Sequence, residues 1–119
     1  MFETLLDRAN ADPNVRRLGR TCTTEFALVE DGKPWHVVVR AGVVEAVLEG
    51  PFRMRGHSFR IDAPADVWRD FRRPAPPPGR HDIFAMSATG AARIEGDMTV
   101  LLGHLAFFKA LLHTLRAAD

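Results

Sequence analysis

The 119 residues include one cysteine, Cys22. That excludes an internal disulfide and a Cys-x-x-Cys redox or metal motif. Cys22 falls in a segment of strand periodicity, so it reads as a small buried hydrophobe and not as a reactive thiol. No sign of charge dominates either: 16 Lys and Arg face 15 Asp and Glu, for a net charge of +1. Basic residues never run longer than two. This removes the electrostatic case for a nucleic acid or a polybasic membrane surface. Long apolar runs are also missing. The most apolar stretch, Thr99 to Leu115, is interrupted by Gly103, His104, Lys109 and His113, so no transmembrane segment is expected. Met1 to Asn10 mixes acidic with apolar residues, unlike a signal peptide. The expectation is a soluble cytoplasmic chain forming a single domain over residues 1–119.

Catalytic and cofactor motifs are absent in the same way. The glycines fall at separate turns and build no phosphate cradle. There is no His-Glu-x-x-His, no calcium loop and no Gly-x-Ser-x-Gly elbow, and neither Ser58 nor Ser87 has an activating context. No metal and no cofactor are therefore expected.

What is present is periodicity. Phe2, Leu5, Leu6 and Ala9 share one side of a short helix over residues 2–9. Asp12-Pro13 reads as a cap and first turn of a second helix that ends at Gly19. From Thr21 the period becomes two. Cys22, Thr24, Phe26 and Leu28 alternate with Thr23, Glu25 and Ala27 up to the Asp31-Gly32 hairpin signal. Trp35, Val37 and Val39 then alternate with His36, Val38 and Arg40 as far as Ala41-Gly42. Val44, Ala46 and Leu48 form a third strand, closed by Gly50-Pro51. A fourth runs over 57–63, with His57, Phe59 and Ile61 on its apolar face. These four read as an antiparallel meander. Pro64 opens a helix with Val67, Trp68 and Phe71 inward. Pro74–Gly79 is a stiff extended loop. A helical turn over 81–86, a fifth strand over 90–95 and one long apolar helix over 98–116 complete the chain. Strands cluster ahead of the mixed elements, which makes the fold class α+β.

The five histidines offer little joint chemistry. His104 and His113 are nine residues apart, about 180° around a helix. His36, opposite Trp35, is expected at the surface. His81-Asp82 follows the proline loop and suits either a polar anchor or acid–base pair at a pocket mouth, or a simple cap by Asp82. The cap is the cheaper explanation. Capping and the helix dipole also account for Asp62 and Asp66. The positive signal is an apolar surplus: Trp35, Phe59, Trp68 and Phe71, with Phe84, Met86, Phe107 and Phe108. Such residues fill a core or line a ligand cavity.

The ordered pieces resemble the sterol carrier protein 2 family of lipid-binding domains. Phe26-Ala27-Leu28-Val29, the Asp31-Gly32 turn and Trp35-His36-Val37-Val38-Val39 are similar to the family's opening hairpin. Ala41-Gly42-Val43-Val44 resembles its turn into the third strand. Ala65-Asp66-Val67-Trp68-Arg69-Asp70-Phe71 looks like its acidic, aromatic helix. Gly90-Ala91-Ala92-Arg93-Ile94-Glu95-Gly96-Asp97 and the following leucine-rich helix match its late strand, turn and closing helix. The resemblance covers about residues 20 to 116. It implies a curved, five-stranded, mainly antiparallel sheet with helices on one face and a tunnel for sterols or acyl chains. The lining it suggests is Trp68, Phe71, Phe84, Leu101, Leu105 and Phe108. Met86 joins them from the apolar surplus, and His81, with Arg80, is the candidate for orienting the ligand. Two departures stand out. Pro74–Gly79 replaces a glycine-lysine stretch, and Ala117-Ala118-Asp119 lacks the peroxisomal signal of eukaryotic members. Both favour a stand-alone bacterial-type domain serving a neighbouring enzyme.

The expected function is thus to bind an apolar small molecule in an internal cavity. Two alternatives stay open. One is a small isomerase, cyclase or hydrolase using His81, Asp82 or Glu25 within that cavity. The other is an interaction module whose last helix packs on a second copy of the chain or on a partner enzyme.

Overall fold

The computed structural model describes residues 2–50 and 57–116. Two short helices open the chain, α1 (Leu5–Asn10) and α2 (Pro13–Leu18). Asp12 caps α2 by accepting from the Asn14 amide, with Pro13 in the first turn. Strands β1 (Thr24–Glu30), β2 (Lys33–Arg40), β3 (Val43–Glu49) and β4 (Phe59–Ala63) follow. Helices α3 (Ala65–Phe71) and α4 (Ile83–Ala88) precede β5 (Arg93–Gly96), and α5 (Met98–Gly103) and α6 (Leu105–His113) end the fold. None of the described helices is long and apolar enough to cross a membrane.

Both hairpin turns adopt the mirror-type geometry that suits strand twist. Asp31 and Gly32 have φ of 50° and 80°, and Ala41 and Gly42 have φ of 48° and 80°. Glycine takes this conformation freely, whereas Ala41 holds it against its own Cβ.

The sheet order is β3-β2-β1-β4-β5. The expected antiparallel meander therefore holds for β1, β2 and β3 but not for β4. β4 crosses to the far side of β1 and pairs with it in parallel, Ala27 opposite Arg60 and Leu28 opposite Ile61. The reason lies in β1. Phe26, Ala27, Leu28 and Val29 are all buried, so this strand needs a neighbour along both edges. The edge of β3 is already occupied. The Asn10 amide donates to the Val44 carbonyl at 2.8 Å and accepts from the Val44 amide at 2.9 Å. This copies one rung of a ladder beside the bulge that interrupts β2–β3 pairing after Val38.

The long closing helix is also corrected. It breaks at His104 (φ −130°, ψ 37°) into α5 and α6, directly after Gly103, which has low helix propensity. The break lets α6 lay Phe107, Phe108, Leu111 and Leu112 on the sheet while α5 takes its own direction. Cys22 is buried as expected, and burial pushes its thiol up to about 11.

Where α2 meets the β2–β3 turn, two glycine backbones touch. A Cβ on Gly19 would run into the Phe107 ring, and one on Gly42 would lie 2.8 Å from the Arg16 carbonyl oxygen. Gly19→Ala and Gly42→Ala are each expected to lower stability by about 1–3 kcal/mol, read as a lower urea midpoint. Ala41→Asn should act in the opposite sense. It gives the turn an Asn-Gly pair and should raise stability by about 0.5–1 kcal/mol. An unchanged or lower midpoint would contradict the strain assigned to Ala41.

Candidate functional site

Alternation along the strands gives the sheet two chemically distinct faces. Phe26, Leu28, Trp35, Val37, Phe59 and Ile61 face the helices and are buried. Across from them, α6 contributes Phe108, whose ring lies 4.9 Å from Phe59 and 5.4 Å from Phe26. Phe26 and Phe59 stack at 5.0 Å with their planes 13° apart. A second aromatic group gathers around α3. Trp68 meets Phe2 at 5.1 Å and Phe71 at 5.8 Å, both edge to face. The indole N–H of Trp68 donates to the Val29 carbonyl at 2.9 Å, which satisfies the one polar atom of a side chain with no exposure.

The residues expected to line a ligand site fall into two sets. Trp68, Phe71, Met86, Leu101 and Phe108 are fully buried and belong to one apolar cluster. Phe84 is half-buried and packs against it, and Leu105 is half-buried at the start of α6. His81 is exposed, and its backbone carbonyl accepts from the Arg116 guanidinium. Arg116 also donates to the Phe71 carbonyl at 3.1 Å and stacks its guanidinium 5.0 Å from that ring. Lys109 lies over the Phe84 ring at 5.7 Å and pairs with Asp82 at 3.0 Å. One margin of the apolar cluster is thus closed by the cations of α6 and the segment after it.

Asp82 takes the capping role, accepting from the Phe84 amide at 2.7 Å. Burial works against its charged form, but Lys109 and the backbone amides of Phe84 and Ala85 outweigh it and hold its pKa below the usual carboxylate value. His113 shifts the same way for another reason: burial, with Arg116 second, disfavours its imidazolium. Of the three alternative acid–base candidates, His81 and Asp82 stand by Arg116 and Lys109 at the margin of the apolar cluster, and Glu25 does not. Glu25 lies on the opposite sheet face, where its carboxylate meets the His36 ring nitrogen at 2.7 Å. His36, expected at the surface, is buried there. His57, expected on the apolar face, precedes β4 and is exposed. Among the described residues no group of three or more His, Cys, Asp or Glu is placed to hold a metal.

Phe2 and Phe26 belong to the apolar cluster although neither was counted in the apolar surplus expected to line a cavity. The usable signal for Phe26 was the unbroken apolar run Phe26–Val29, which marks a strand buried on both faces. For Phe2 the signal was its place on the apolar side shared with Leu5 and Ala9, all three of which are buried.

No protein-family model matches the chain, and no curated protein matches it by sequence. Solved structures do match. A crystal structure of sterol carrier protein 2 superposes with a TM-score of 0.74 at 16% identity, covering 98% of this chain and 94% of the other. A Thermus thermophilus protein, described as possibly a sterol carrier protein, gives 0.66 at 11% identity over 98% and 87%. The UbiJ-SCP2 ubiquinone synthesis protein gives 0.65 at 19% identity over 96% and 87%. This chain thus has the sterol carrier protein 2 fold, an α+β arrangement of a five-stranded, mostly antiparallel sheet with helices packed on one face.

Proposed function

We propose that this protein binds an apolar small molecule, of the sterol, acyl or isoprenoid kind, between its sheet and its helices. The observation that carries the reading is the aromatic layer. Phe26, Phe59 and Phe108 meet around one point, and Trp68, Phe71, Met86 and Leu101 extend the same apolar cluster. The fold shared with a sterol carrier protein and a ubiquinone synthesis protein supports it.

In this reading the lining is Trp68, Phe71, Met86, Leu101 and Phe108, with Phe84 and Leu105 at the rim. His81 and Arg80 stand at the polar margin and orient the ligand. Rings in edge contact and a flexible Met86 can re-pack around a guest. The guest passes beside α5, a helix of six residues ending at the Gly103–His104 break, whose Leu102 is 56% exposed. Each Å² of apolar surface that the ligand withdraws from water contributes about 25 cal/mol. No partner protein is required for this role. The apolar side of α6 is spent inside its own chain, because Phe107, Phe108, Leu111 and Leu112 are all buried.

Two measurements test the proposal. A ligand that binds only the folded chain raises its melting temperature, by an amount equivalent to about 2.7 kcal/mol at one hundred times Kd. A panel of cholesterol, palmitate and a short-chain ubiquinone is expected to contain at least one such ligand. Native mass spectrometry of the freshly purified protein should show the adduct. If no member shifts the melting temperature and no lipid co-purifies, the carrier reading fails. Leu105→Asp places a carboxylate at the rim and is expected to weaken binding about tenfold while unfolding stays cooperative.

A further inference from the structure

The sheet face turned away from the helices carries a second, polar place. A depression of about 380 Å³ opens where β1 and β4 begin and β2 ends. Its walls include Thr24, Glu25, Val38, Arg40, His57 and Ser58.

These walls are organised. His36 is only 5% exposed, and its ring nitrogen lies 2.7 Å from Glu25 Oε1, which fixes the orientation of a carboxylate that is itself 39% exposed. The Ser58 hydroxyl donates to the Glu25 backbone carbonyl at 3.0 Å and lies 2.8 Å from the Thr24 hydroxyl. With the Ser58 proton committed, Thr24 donates to Ser58, and both oxygens keep lone pairs for a ligand. On the other side, the exposed His57 ring stands 6.5 Å from His36, edge to face. Burial, Arg60 and His36 all lower the pKa of His57, so it is neutral at neutral pH and both gives and takes a hydrogen bond.

The charges narrow the ligand. Arg40 pairs with Glu45, Arg60 pairs with Asp62 at 2.8 Å, and Glu25 faces His36. The Arg40 and Glu25 side chains are already engaged, so a net-charged guest must compete with those partners to be matched. A guest with several neutral hydroxyls has no such cost. Its hydroxyls donate to Glu25, Ser58 and Thr24 and accept from Arg40 and His57, and its C–H face rests on Val38. We propose that this depression binds a neutral polyhydroxylated small molecule, a monosaccharide or cyclitol. Glu25, Val38 and Arg40 stand on the side of the sheet away from the apolar interior, while Thr24 and the core residue Val39 border the depression from the apolar side.

The test is an amide-resolved NMR titration of the full chain with glucose, galactose and myo-inositol, with glucuronate and glucosamine as charged counterparts. At least one neutral probe is expected to give saturable shifts centred on Glu25, His36, Arg40, His57 and Ser58. The charged counterparts should bind about tenfold more weakly or not at all. His57→Ala and Arg40→Ala alter exposed side chains and leave folding intact. Each should weaken binding about five- to tenfold through a lost hydrogen bond. The inference is overturned if no neutral probe saturates, or if the shifts centre elsewhere. Equal binding of a charged counterpart, or unchanged binding in both variants, overturns it as well.

Discussion

Phe108 reaches from α6 onto two strands at once, 4.9 Å from Phe59 on β4 and 5.4 Å from Phe26 on β1. Those two strands are the parallel pair that hydrogen bonding alone would hold least well. One side chain therefore ties the least local strand pairing of the sheet to the helix layer. The placement of β5 follows, because it joins the sheet only through β4. So does the break at His104, which frees α6 to lie along the sheet while α5 leads back to β5. An aromatic edge-to-face pair contributes roughly 0.5–1.5 kcal/mol beyond its buried area. A joint of several such pairs holds the layers together.

The sheet divides two kinds of chemistry by the alternation of side chains along each strand. Phe26 and Leu28 point to the apolar interior, and Glu25 points to the polar face, where it finds His36. Along β2, Trp35 and Val37 go one way and His36 and Val38 the other. The apolar cluster and the Glu25–His36 pair thus lie on separate sides of one small scaffold.

Much of the fold was legible in particular residues. Asp31-Gly32 and Ala41-Gly42 marked both hairpin turns, because positive φ is required at each central position. Asp12 and Asp82 marked helix starts, and each side chain accepts from a nearby amide. The period of three to four residues placed Phe108, Leu111 and Leu112 on one inward face. Other features were not legible. His36 alternates with Trp35 and so read as exposed. Its burial depends on Glu25, eleven positions away and across a strand pair. The Asn10–Val44 amide pair likewise joins residues 34 apart, beyond the reach of any local pattern.

The sequence by itself determined the elements, their caps and turns, and the inward side of each strand, because these rest on interactions within a few residues. It also carried the sterol carrier resemblance, an ordered series of such local signals. Tertiary structure alone decided that β4 crosses to pair in parallel with β1, that the closing helix breaks at His104, and that His36 is buried beside Glu25. Each of these balances contacts between distant segments: the need of β1 for neighbours on both edges, the seating of Phe108, and a counter-group for a carboxylate. Such balances are settled only when the chain has closed on itself.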